Sequence, residues 1–274
     1  MGEYSITLMQ PPNYIHSYAF YEIGLLLQNS FKSLNMKCGF HLNQLYEEYT
    51  NILLGSNLLM YHKDLRKFKY IVYQLEQLAH KVGWFNEDLE KILRGAYCVW
   101  DYSKENISFL KEVGMGRVKY LPIGYHENLE TIEHSQEKDI DILFYGSINN
   151  RRANILNRLK QIAKTEILFG VYGKERDSYI ARSKIVLNIH FYPMQIMEEV
   201  RLSYLLNNKC FVISEYSSHN PYGEGIVATK YDELVDMCEY YLIRPDERYA
   251  IAERGYCLFK ENNMVDNLST VLKK

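Results

Sequence analysis

Short apolar runs alternate with longer segments of helical period along nearly the whole chain. That alternation is the sequence form of parallel strands joined by crossover helices. The first run, Ser5–Gln10, is closed by Pro11 and Pro12. Ser17–Leu34 follows, with Tyr18, Tyr21, Leu25 and Gln28 at helical spacing, and predicts a helix. Further strands are predicted at Cys38–Leu42, Asn51–Gly55, Tyr70–Leu75, Tyr97–Asp101 and Val118–Ile123. Between the last two, Ser103 is an N-cap for a helix reaching about Val113, with Gly114 as its stop.

His126–Lys138 is polar and lacks apolar period, so residues 126–138 read as a linker between an N-terminal domain, 1–125, and a C-terminal domain, 139–274. Beyond it the alternation restarts. Strands Asp141–Tyr145, Ile167–Val171, Ile185–Ile189 and Cys210–Ser214 alternate with helices Asn150–Ala163, Lys174–Ser183 and Gln195–Asn207. A short run, Gly225–Thr229, and helices from about Asp232 and Pro245 finish the chain, the last free to pack back on the first half. The expected fold class is α/β, with two Rossmann-like halves facing each other across a cleft.

Composition narrows the picture. A length of 274 residues fits two modest domains, and 47% apolar with 24% charged residues excludes a disordered or fibrous chain. The net charge of −2 comes from intermixed signs, so no nucleic acid partner is expected and any phosphate site must be local. The five cysteines are widely spaced without a C-x-x-C pair, which argues against disulfides and zinc and for a cytoplasmic location. No stretch is apolar for the roughly 18 residues that span a bilayer. Peripheral contact with a membrane face is the remaining expectation, through Tyr61–Tyr70 with Lys63, Arg66, Lys67 and Lys69. The eight histidines form no ligand cluster, so no metal and no cofactor are expected.

In open α/β sheets ligands bind beyond the carboxyl ends of the strands, where helix N-termini favour anions. That rule singles out the residues following each strand. After Tyr145 come Gly146, Ser147, Asn149, Arg151 and Arg152: a glycine that admits close approach, polar donors, a helix start and two guanidinium groups suited to phosphate. After Ile189 come His190 and a helix carrying Glu198, Glu199, Arg201 and Ser203. A carboxylate there suits the hydroxyls of a nucleotide's ribose, while Glu198 and Arg201 are also spaced to pair with each other.

The segments DILFYGSINNRRANIL, ARSKIVLNIH and EEVRLSYLLNNKCFVISE resemble the nucleotide-binding half of GT-B glycosyltransferases, especially spore-maturation-type (CgeB-like) and related bacterial surface-polysaccharide enzymes. In the first half, YIHSYAFYEIGLLL, NILLGSNLL, YIVYQLEQL and WDYSKENISFL fall where such families carry acceptor-side elements. The resemblance implies a nucleotide-sugar donor as substrate, a glycan or lipid-linked acceptor, and Glu199, with Glu198 as its rival, on the ribose. The common retaining pattern places two acids eight apart and ends E-A-x-x-x-G. Here Phe191 stands eight before Glu199 and the glycine is missing, which moves the expectation towards inversion.

Inversion requires a base near the acceptor hydroxyl. His16, after the first strand at the mouth of the first helix, is the leading candidate, with Glu76 and Asp101 as rivals by the strand-end rule. Ser103 and Asn106 are the candidates for holding the acceptor. Two other readings fit the same fold: a sugar-nucleotide epimerase, and a non-catalytic protein that binds sugar nucleotides or glycans.

Overall fold

The computed structural model describes residues 4–59, 64–79, 82–83, 85–192 and 195–273. Tyr61, His62 and Lys63 of the basic stretch considered for membrane contact lie outside them. The chain divides into two compact units, residues 1–128 with 263–274, and residues 129–262.

The first unit begins with β1 (Tyr4–Leu8), a short 3-10 turn (Ile15–Phe20) and α1 (Tyr21–Ser33). It continues through β2 (Cys38–Leu42), β3 (Thr50–Leu54), β4 (Lys69–Gln74), a minimal antiparallel pair β5 (Leu78–Ala79) and β6 (Val82–Gly83), α2 (Glu87–Gly95), β7 (Cys98–Asp101), α3 (Lys104–Glu112) and β8 (Val118–Tyr120). The main sheet runs β2-β1-β3-β4-β7-β8, with every pairing parallel. Parallel strands covered on both faces are largely apolar, and Ile6, Leu8, Ile52, Leu53 and Val72 are fully buried.

The sequence reading omitted α2, although its signals are ordinary. Asn86 accepts hydrogen bonds from the backbone N–H groups of Asp88 and Leu89, three acids occupy the first turn and Arg94 the last. Leu89 and Leu93, four residues apart, are buried in the first unit's core, with Ile92 packed against it.

The second unit contains β9 (Ile140–Tyr145), α4 (Asn150–Leu159), β10 (Thr165–Leu168), α5 (Gly173–Ala181), β11 (Ser183–Asn188), α6 (Glu199–Asn207), β12 (Val212–Glu215), β13 (Val227–Thr229), α7 (Leu234–Leu242) and α8 (Pro245–Glu261). Its sheet is parallel in the order β10-β9-β11-β12-β13. Ile142, Phe144, Ile155, Leu159, Ile185, Leu187 and Ile213 form its solvent-free centre. The final helix, α9 (Met264–Lys273), belongs to the first unit, where the Met264 N–H donates to the Tyr125 carbonyl at 2.9 Å and Lys119 to the Val271 carbonyl at 3.2 Å.

Residues 129–138, expected as part of a free linker, are tied to the second unit. The Thr131 and Ile132 N–H groups donate to Asn208 Oδ1 at 2.8 and 3.0 Å, and His134 Nε2 donates to the Asn208 carbonyl at 2.6 Å. Lys138 reaches the carbonyls of Ala181 and Ser183 at 3.1 and 3.0 Å. A polar segment without apolar period is docked here by side-chain hydrogen bonds that no periodicity announces.

Candidate active site

Both strand orders reverse direction once: between β1 and β3 in the first unit, and between β9 and β11 in the second. At such a switch point neighbouring loops diverge to opposite faces and leave a crevice at the carboxyl edge. In the second unit the described residues bordering it are Gly146–Asn149 after β9 and residues 189–192 and 195–198 after β11.

Gly146 has φ +132 and lies so close to Arg201 that a Cβ would stand 2.7 Å from its Nη2. Only glycine meets both demands. Asn149 caps α4 by accepting from the Arg152 N–H at 2.9 Å, and its Nδ2 donates to the Phe191 carbonyl at 2.9 Å, joining the two loops. Ser147 is exposed on the same turn.

Arg152, expected as a phosphate contact, is turned inward. It is buried, and each guanidinium nitrogen donates: Nε to the Ile189 carbonyl at 2.8 Å, Nη1 to the Ser147 carbonyl at 2.9 Å, and Nη2 to Glu198 at 2.5 Å. Burial brings its pKa down to about 10, against the opposing pull of Glu198, so it remains charged at neutral pH. These three bonds tie the loops after β9 and β11 together, and that is the role its contacts show.

Glu198 is shared. Its second oxygen pairs with Arg201 Nη1 at 2.7 Å, and the same nitrogen donates to Asn188 Oδ1 at 2.6 Å. Burial works to raise the Glu198 pKa, but Arg201 and Arg152 outweigh it and hold the carboxyl below its ordinary value. Arg201 Nε, by contrast, is buried without a partner, and its guanidinium lies over the rings of Tyr145 and Phe144 at 5.1 and 5.7 Å. Glu199 and Ser203, four residues apart, are both buried in α6, and Ser203 donates to the Val200 carbonyl at 3.4 Å.

A second ion pair lies one strand over. Glu215, fully buried at the end of β12, takes Arg151 in a bidentate pair whose Nη1–Oε2 arm is 2.6 Å. It also accepts from the His190 N–H at 3.1 Å and Gln195 Nε2 at 3.2 Å. Arg151 stacks on Tyr231 at 4.0 Å, and the Tyr231 hydroxyl donates to the Arg151 carbonyl at 2.7 Å. Glu215 was absent from the sequence candidates, yet it directly follows the predicted strand Cys210–Ser214, so the strand-end rule contained it.

His190 is fully buried between these pairs. Its Nε2 lies 3.1 Å from the Tyr216 carbonyl and 2.9 Å from Ser217 Oγ; a carbonyl only accepts, so Nε2 carries the proton. Nδ1 is then a buried lone pair without a partner. Burial lowers the His190 pKa despite Glu198 and Glu215 nearby, which keeps the ring neutral. Three guanidinium groups against two carboxylates leave the cluster with one surplus positive charge.

The first unit treats its candidates differently. His16 lies half-buried in the 3-10 turn after β1, edge-on to Tyr14 with centroids 5.3 Å apart. Burial, and after it the charge of Glu76, raise the Tyr14 pKa. Asp101, Ser103 and Asn106 are not reachable as base or acceptor contacts. Asp101 is fully buried and accepts from the Ser103 N–H at 2.8 Å and from Asn106 Nδ2 at 3.1 Å on both oxygens. Ser103 caps α3 by accepting from the Asn106 N–H at 3.2 Å. Asn106 Oδ1 accepts from the Leu78 N–H at 2.9 Å and its Nδ2 donates to the Glu76 carbonyl at 2.8 Å. The trio knits three strand ends and has no surface to offer a substrate.

Among the described residues no group of three or more His, Cys, Asp or Glu side chains is arranged to hold a metal ion. Asp139 and Asp141, of D-x-D form, pair instead with Arg182 and Lys164 and with Lys184.

Residues 127–272 match the family model described as Glycosyl transferase-like. The chain belongs to that family. It is therefore a glycosyltransferase by descent, and its two parallel α/β units have the architecture of the GT-B class. Uncharacterized protein R358 of Acanthamoeba polyphaga mimivirus is 32% identical over 68% of each chain. Uncharacterized protein L137 of the same virus is 27% identical over 85% of this chain, which spans only 30% of that larger protein. Among solved structures, Anabaena HepE, determined in complex with UDP-glucose, matches with a TM-score of 0.65 and 9% identity over the full length of both chains. At that identity the likeness is one of fold. Among the transferase's described residues, no helix is long and apolar enough to cross a membrane.

Proposed function

We propose that this transferase holds a nucleotide-sugar donor at the second unit's switch point and moves its sugar to a hydroxyl of a glycan or lipid-linked acceptor, with inversion and without a metal. The observation that carries the reading is Arg201: a guanidinium beside Gly146 and the start of α4, with Nε buried and unpartnered, in a cluster one positive charge in surplus. Such a group meets the charge that develops on a departing diphosphate, where preorganised donors in a dry site lower the barrier most. The backbone of Gly146–Asn149 and the α4 dipole add to it. Arg151 supports the site through Glu215, and Glu199 remains the proposed ribose partner.

For the acceptor, His16 is the proposed base, backed by Glu76. His16 follows β1 at the first unit's own switch point, and Tyr14 packs on its ring. A thermal-shift panel of UDP, GDP, CMP and dTDP sugars tests the donor site. One donor class is expected to stabilise the protein, and Arg201→Ala to weaken its binding by about tenfold to a hundredfold, the worth of a charge-assisted hydrogen bond. Stabilisation by none of them, or an Arg201→Ala protein that binds as the wild type does, removes the reading.

A further inference from the structure

Two large aromatic side chains stand exposed on the carboxyl edge of the second sheet, one on each flank of the arginine cluster. Phe169, 57% exposed, follows β10, and Tyr216, 52% exposed, follows β12. The order β10-β9-β11-β12 puts Phe169 one strand from Gly146 and Tyr216 one strand from His190. Leu168 pairs with Tyr145, and the Gly146 N–H donates to the Leu168 carbonyl at 3.0 Å, so Phe169 leaves the sheet directly beside the Gly146 turn.

One exposed aromatic residue is ordinary; its setting here is not. Gly170 and Gly173 are both left-handed, at φ +73 and +57, and a Cβ on Gly173 would meet nothing within 4 Å. These glycines let the chain turn from β10 into α5 within a few residues, and Phe169 stays at the rim. Ile148, 48% exposed, occupies the adjacent loop after β9.

The two flanks differ in chemistry. On the Tyr216 side the surroundings are polar: His190 donates to the Tyr216 carbonyl, and Glu215, Arg151 and Gln195 lie together. On the other side, residues 169–173 carry no charge, and Ile148 adds further apolar surface. A nucleotide sugar has the same polarity end to end: a flat heterocycle, a diphosphate, then a hydroxyl-rich sugar.

We propose that Phe169, with Ile148 beside it, is the platform on which the donor's heterocyclic base stacks, which directs the sugar towards the Tyr216 side. The assignment rests on the reading of Gly146–Asn149 and Arg201 as the diphosphate site. Stacking tolerates every base because each has a π-face, so the platform sets orientation and affinity and leaves base identity to other contacts.

The test is calorimetric titration of UDP, GDP, dTDP and inorganic pyrophosphate into the full chain and its F169A, F169W and Y216A variants. F169A is expected to weaken the best-bound nucleoside diphosphate on the order of tenfold and to leave pyrophosphate affinity unchanged. F169W restores the binding, and Y216A keeps it. Full nucleoside diphosphate affinity in F169A, or the loss appearing in Y216A instead, overturns the platform. A wild-type chain that binds pyrophosphate as tightly as any nucleoside diphosphate overturns the platform alone; one that binds neither overturns the diphosphate site and the platform with it.

Discussion

The carboxyl edges of the two sheets obey the same topological rule and use it for opposite ends. In the first unit the polar groups at the strand ends are spent on one another: Asp101 on Ser103 and Asn106, and Asn106 on the Leu78 N–H and the Glu76 carbonyl. The turn carrying Tyr14 and His16, and Glu76 after β4, keep half-open side chains. In the second unit the strand ends gather three arginines, two glutamates and a histidine, and this cluster retains a net charge and two orphaned polar atoms. A strand-end position therefore marks a residue as near the ligand crevice. Whether it serves the ligand depends on whether its hydrogen-bonding capacity is already consumed.

Arg152→Met breaks that contrast most severely. It removes three donors from a buried loop junction and takes one of the two guanidinium partners from Glu198. Loss of one partner from a buried pair costs about 3–5 kcal/mol, so urea denaturation should show the midpoint falling sharply. A loss below about 1 kcal/mol would mean that the pair behaves like a surface ion pair, and Arg152 would return to the list of phosphate contacts.

Asp101→Asn sharpens the comparison from the other side. The amide keeps one acceptor oxygen for the Ser103 N–H but must turn an NH2 towards Asn106 Nδ2, leaving donors opposed; a cost of about 1–3 kcal/mol follows. Because Asp101 is fully buried, kcat is expected to stay within a few-fold of the wild type under conditions where the variant is folded. His16→Ala, with little stability cost, is expected to lower kcat by about a hundredfold or more, the usual worth of a general base. The reverse pattern, with Asp101→Asn dead and His16→Ala active, would exchange their roles.

Much of the fold was legible because hydrophobic period and strand length are local properties. β1, β2, β3, β7 and β9 lie within a few residues of their predicted spans, and the capping of α3 by Ser103 is as read. The candidate site was legible only as positions. Gly146, Arg201 and Glu198 follow from the strand-end rule, but the sharing of Glu198 by two arginines depends on distances between segments nearly fifty residues apart, which no spacing encodes. Glu215 satisfied the strand-end rule as well, but nothing local announces its bidentate pair with Arg151, sixty-four residues away in sequence. Asp101 and Asn106 were misread for a complementary reason: burial of a polar trio requires mutual hydrogen bonds, and sequence alone cannot distinguish a satisfied carboxylate from a waiting one.

The smallest effect expected is on acid stability, and it reports how the buried histidines are held. His126 in the first unit and His134 and His190 in the second all have pKa values lowered chiefly by burial. When the folded pKa lies below the unfolded one, the unfolded chain binds more protons in the window between them, so stability is full above the ordinary histidine value of about 6.5 and is lost as pH falls through that window. Each histidine contributes a slope of at most about 1.4 kcal/mol per pH unit. His190→Gln preserves a donor towards the Tyr216 carbonyl and cannot be protonated. Chemical denaturation between pH 7.5 and 5.5 should therefore show a shallower decline for this variant than for the wild type. Equal slopes would mean that His190 gains its proton without penalty inside the fold, and the neutral ring assigned to the crevice between Glu198 and Glu215 would have to be replaced by an imidazolium, doubling the surplus positive charge offered to the donor.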